Sequence, residues 1–77
     1  MNKDASLEAE CKEFSKALCD TIKELIVEAN LSQEAFGRLS HIAQPNLSRA
    51  LSGRNLSVST LVRIAKALNM QLSVKFI

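Results

Sequence analysis

Leu31-Ser32-Gln33-Glu34-Ala35-Phe36-Gly37-Arg38-Leu39-Ser40-His41-Ile42-Ala43-Gln44-Pro45-Asn46-Leu47-Ser48-Arg49-Ala50-Leu51-Ser52-Gly53 is the stretch that decides the fold. Ser32 has the chemistry of an N-cap, since a short side-chain oxygen can take one of the N–H groups that a first helical turn leaves without a partner. Leu31 before it and Phe36 four residues into the helix are spaced as a hydrophobic staple. The helix they open is short, about residues 33–39, and Ser40, His41 and Ile42 read as a three-residue turn. Pro45 suits the first turn of a second helix, where its missing N–H costs nothing. That helix runs to about Leu51 and stops at Gly53. Two short helices across a tight turn make a helix-turn-helix, expected over residues 32–52.

Working outward, residues 5–29 contain no Gly or Pro. Their apolar residues Cys11, Phe14, Leu18, Ile22, Leu25, Ile26 and Ala29 recur at helical spacing, which predicts one long helix with a buried stripe. Asn30 is suited to end it in a left-handed conformation. On the other side Ser57 caps a further helix, about residues 58–68, with Leu61, Ile64, Ala65 and Leu68 as its buried face and Asn69 as its stop. The period then changes. Met70, Leu72, Val74 and Phe76 alternate with Gln71, Ser73 and Lys75, the signature of a half-buried strand over residues 70–76. A lone strand exposes a row of unpaired backbone groups beside an apolar face. Its cheapest partner is the same strand of a second copy, antiparallel about a two-fold axis. The competing reading is a tail that packs on its own helices. The expectation is therefore a single, mainly α domain over residues 1–77, of four to five helices, with one C-terminal strand pairing across a homodimer through Met70, Leu72, Val74 and Phe76.

The chain has 77 residues and a net charge of +2, unremarkable until it is divided. Residues 1–30 carry four lysines against seven acidic residues, a net charge of −3, whereas residues 31–77 carry six basic residues against Glu34 alone, a net charge of +5. Such asymmetry suggests a polyanion as partner of the second part. Cys11 and Cys19 would lie about 12 Å apart along one helix at ~1.5 Å per residue, too far for a disulfide. Free thiols and the lack of a signal-like N-terminus point to the cytoplasm. No apolar run approaches the ~20 residues of a membrane span. The single His41 has no neighbouring carboxylate to orient it, the cysteines lack zinc-ligand spacing, and no Gly-rich loop could cradle a phosphate, so neither an enzyme nor a metal or cofactor site is expected.

The run from Leu31 to Arg38 resembles the opening of the phage-repressor (Cro/C1, or XRE) helix-turn-helix family. So do Leu47-Ser48-Arg49-Ala50-Leu51-Ser52-Gly53, Ser59-Thr60-Leu61 and Ile64-Ala65-Lys66-Ala67-Leu68, with fitting spacing throughout residues 14–69. The resemblance implies a lambda-repressor-like domain that binds double-stranded DNA, with a palindromic operator. It implies that Gln33 binds a phosphate and buttresses a base-reading side chain. Gln44, Pro45 and Asn46 match the groove-facing start of the recognition helix, Ser48 and Arg49 its next turn, and Arg54 and Asn55 a backbone clamp. Phe36, Ile42, Leu47 and Leu61 match core positions. The chemistry agrees, because Gln pairs bidentately with adenine and Arg with guanine, although Arg49 has a phosphate as its alternative target. Three departures stand out. Ser40 occupies a position that is usually apolar, as if the stripe had slipped to Leu39; Gly37 replaces a common Ala; and Ala43 offers no side-chain cap. The tail from Leu68 to Val74 resembles antitoxins of the HigA and HipB kind. The expected function is thus a transcriptional repressor, as an autoregulating antitoxin with a toxin as second partner. A stand-alone prophage or restriction-modification controller is the alternative, and an interaction module without DNA binding a third reading.

Overall fold

Among the described residues four helices follow one another: α1 (Lys3–Glu28), α2 (Gln33–Ser40), α3 (Gln44–Leu51) and α4 (Val58–Ala67). The structure, a computed structural model, describes residues 3–54 and 56–77. Ser32 and Ser57 stand in extended backbone just ahead of α2 and α4. Each accepts a hydrogen bond of 3.1 Å from the N–H three residues on, Ala35 and Thr60 respectively. These side chains supply the partner that a first turn lacks.

The helix ends share one device. Asn30, His41, Gly53 and Asn69 all have positive φ, at 60°, 57°, 87° and 59°. At each, its own N–H returns to the carbonyl three residues back, while the next N–H reaches the carbonyl five back. For α2 these are His41 to Arg38 at 3.3 Å and Ile42 to Gly37 at 3.1 Å. This is the Schellman closure, which satisfies carbonyls that a helix end would otherwise strand. His41 is the one of the four that is neither Gly nor Asn, and its left-handed conformation fixes the turn between α2 and α3.

Phe36 and Leu47 are fully buried, and Ile22, Ile26, Ile42, Leu51 and Ile64 close the core around them. Leu18, Leu31, Leu61, Ala67 and Leu68 pack against its edge. α2 packs on both α3 and α4, and α1 packs on α3. Gly37 lies where α2 meets the start of α3: a Cβ there would stand 3.2 Å from both the Ile42 carbonyl and the Gln44 side chain. A methyl there would be a tight fit, accommodated only if these neighbours give by a few tenths of an ångström.

Two expectations about packing fail in instructive ways. Of the stripe along α1, only Ile22 and Ile26 are buried; Leu18 and Leu25 are half-buried, and Cys11, Phe14 and Ala29 are exposed. The core side of α1 is turned towards Cys19, which is buried and whose Sγ donates to the Ala50 carbonyl at 3.2 Å. Length is the cause. At ~1.5 Å per residue this helix is about 39 Å long, in a molecule measuring 45 × 27 × 21 Å, so its first half outruns the other helices. Nor has the stripe of α2 slipped. Ser40 is only 3% exposed and satisfies its hydroxyl by donating to the Gly37 carbonyl at 3.2 Å, while Leu39 faces out.

Beyond α4, the Met70 N–H bonds to the Ala65 carbonyl at 2.8 Å. Among the described residues no strand forms, so the strand expected over residues 70–76 is absent from the single chain. A strand exists only within a ladder, and the four helices offer no edge for one. Leu72 is half-buried, whereas Met70, Val74 and Phe76 are exposed.

Candidate nucleic-acid interface

α3 divides cleanly into two faces. Leu47, Ala50 and Leu51 are buried against the core, and Gln44, Pro45, Asn46, Ser48 and Arg49 are exposed. The buried set fixes the helix on its axis, so its polar side is presented to solvent at a set angle. Ala43 gives the first turn no side-chain hydrogen bond. The Gln44 and Asn46 amides lie in the first turn of α3, where no intrahelical acceptor reaches them, and Pro45 between them has no N–H to strand. Such a helix start is suited to an anion or to the polar floor of a groove.

Gln33 begins α2 and Gln44 begins α3, and the turn brings the two starts together. The Gln44 Nε2 donates to the Gln33 Oε1 at 3.2 Å. Gln33 is itself exposed, so its remaining N–H groups are available to an external acceptor. Of the side chains singled out from the sequence, these two are joined directly.

At the far end of α3, the Arg49 carbonyl accepts from the Ser52 hydroxyl at 2.8 Å and from the Arg54 N–H at 2.9 Å. Gly53, with φ of 87°, makes that reversal. In the other three closures the residue after the left-handed one is Leu31, Ile42 or Met70; here it is Arg54, exposed. The sequence thus places a cation where the motif elsewhere carries an apolar residue. Asn55, the other expected clamp residue, lies outside the described residues.

Arg63 was legible only as one of the basic residues. Its guanidinium donates to the His41 carbonyl at 3.3 Å, tying α4 to the turn. With Asn46, Ser59 and Thr60 it lines a depression beside the start of α3. Ser59 and Arg63, four residues apart, share an exposed side of α4, but that spacing does not by itself connect them to the turn. On the other side of the turn, Arg38 and Glu34 border a second depression shared with Gln44.

Among the described residues, no grouping of His, Cys, Asp and Glu could hold a metal ion, and no helix is long and apolar enough to cross a membrane. No curated protein and no solved structure matches the chain. A family model described as helix-turn-helix matches residues 22–74 and so takes in the last two turns of α1, the paired helices, α4 and part of the following segment. That domain is a DNA-binding regulatory unit. The chain belongs to the helix-turn-helix family of the Cro/C1 (XRE) kind and is a DNA-binding transcription regulator.

Proposed function

We propose that the protein is a sequence-specific repressor that grips a palindromic operator as a homodimer. The observation that carries this reading is the Gln33–Gln44 hydrogen bond at the exposed start of α3. An amide held in place at the tip of a helix is suited to bidentate recognition of adenine, with Arg49 one turn on suited to guanine or to a phosphate. Pro45, Asn46 and Ser48 complete the groove-facing side, while Gln33 and Arg54 hold the backbone. The dimer joins through the segment from Met70 to Phe76, whose apolar and polar residues alternate. Pairing two copies sets the half-sites about one helical turn apart.

The experiment is a titration of the full chain against its own promoter fragment at several salt concentrations. For an assumed six to ten phosphate contacts, affinity should fall roughly a thousandfold or more between ~50 and ~200 mM salt. No complex at the lower salt would refute the reading.

A second reading, that the repressor is also an antitoxin, is favoured by one observation. Leu7 and Phe14 are exposed on the acidic first half of α1, ahead of the region the family model matches. A basic partner protein suits that surface, which the fold itself leaves uncovered. Co-expression with the product of the adjoining reading frame, followed by co-purification with and without Phe14→Asp, tests it. No partner at all would leave the stand-alone regulator, and a partner retained equally by both forms would refute the α1 surface as its seat.

A further inference from the structure

Between α1 and α4 runs an apolar groove lined by Leu18, Leu25, Leu61, Leu68 and, on the wall made by the following segment, Met70 and Leu72. The segment that builds this wall does not fill the groove. Phe76 is 98% exposed and Val74 is 74% exposed, so the chain's own large apolar residues beyond Leu72 do not cover it. We infer that the groove is the seat of Phe76 from a second copy, so that each subunit of the homodimer covers the apolar groove of the other.

The inference rests on the strand-paired dimer proposed above and follows from the geometry of pairing. Directly opposed residues of an antiparallel pair point to the same face of the ribbon. In a paired strand Met70, Leu72, Val74 and Phe76 share one face, so a register that keeps the apolar sides together must oppose members of this set to one another. The two-fold axis then falls on a residue of the segment. With the axis at Ser73, Leu72 opposes the partner's Val74, and Met70 opposes the partner's Phe76. Leu72 and Met70 are the groove's own wall. A strand added there lies about 4.8 Å away, and its apolar face is turned to the side on which Leu72 is half-buried. The partner's Phe76 is thereby carried to the Met70 end of the groove, which Leu68 also lines. A bare two-stranded ribbon is marginal in water, so a helical floor is what allows it to persist. The groove supplies that floor, and the aromatic ring is the largest side chain the segment offers to it.

Photo-cross-linking from position 76 tests the seat. The full chain carrying benzoylphenylalanine in place of Phe76 is mixed in equal parts with isotope-labelled chain, re-equilibrated, irradiated and mapped by mass spectrometry. Links of mixed isotope composition to residues 18–25 or 61–68 are expected. Alongside, sedimentation should show Phe76→Ala weakening dimerisation at least tenfold, from the loss of two buried rings per dimer, with Phe76→Leu restoring most of it. Links confined to one chain would mean that the segment folds back on its own groove, and would overturn the exchange. A dimer whose dissociation is unchanged by Phe76→Ala, or whose links fall elsewhere, would overturn the seat while leaving the dimer. A chain that stays monomeric at tens of micromolar would remove the dimer and the seat together.

Discussion

If Gln33 acts on the operator partly by steadying Gln44, the two side chains must be energetically coupled, and the size of that coupling is set by the bond between them. The bond is 3.2 Å long, joins two neutral amides and lies in the open, so it is worth about 0.5–1 kcal/mol. Loss of a bidentate contact from Gln44 costs roughly 1–3 kcal/mol per half-site. Gln44→Ala should therefore weaken operator binding about five- to 150-fold per half-site. Gln33→Ala should lose any phosphate contact of its own plus the steadying effect. In the Gln44→Ala background only the phosphate part is left to lose, so the cost of Gln33→Ala should shrink about two- to fivefold per half-site. Fluorescence anisotropy at one fixed salt concentration, against an operator selected from random-sequence DNA, measures all four corners of the cycle. Both positions are exposed, so thermal melting should confirm that the variants fold alike. Losses that add to within about 0.3–0.5 kcal/mol would refute the buttress, and equal losses on random DNA would move Gln44 to the backbone.

His41→Val should destabilise the fold by about 1–2 kcal/mol, because a β-branched residue is forced into the left-handed region; His41→Gly should not, and thermal melting at one protein concentration distinguishes them. Ser40→Ala should stay within about 1 kcal/mol of the parent in a urea titration, since the lost i–3 bond is offset by freeing a buried hydroxyl and by better helix propensity. In the same titration Leu47→Ala should cost about 2–5 kcal/mol by opening a cavity, whereas Phe14→Ala should move stability by no more than about 0.5 kcal/mol.

The punctuation of the fold was legible because it is local. Ser32 and Ser57 cap, Pro45 opens and Gly53 closes through chemistry contained within a few residues, and Asn30 and Asn69 stop helices for the same reason. What escaped the sequence depends on who stands opposite. The stripe through Phe14 has helical period whether or not another helix lies across it, and period alone cannot say how far a bundle extends. Ser40 looked like a break in the pattern because a hydroxyl reads as polar, yet one bond to Gly37 makes it a core residue. His41 carries no local mark of a left-handed residue beyond a mild preference. At the candidate interface, the exposed side of α3 followed from Leu47, Ala50 and Leu51 being apolar. Arg63 did not, because its link to the His41 carbonyl joins residues 22 positions apart.

α1 is one helix by backbone and two by thermodynamics. From Cys19 to Ile26 its hydrogen bonds open only if the core opens with them, since Cys19, Ile22 and Ile26 are buried there. From residue 6 to Phe14 every side chain is exposed, and a helical stretch of that length is marginal on its own in water. Amide protection must therefore rise along the helix, from almost none near Leu7 to the full unfolding free energy near Ile26. The outer turns act as a reserve of conformational entropy, drawn down only by whatever covers Leu7 and Phe14. A ligand there would be registered first as slowed exchange in the outer turns, transmitted along an unbroken backbone to the helix that holds the end of α3.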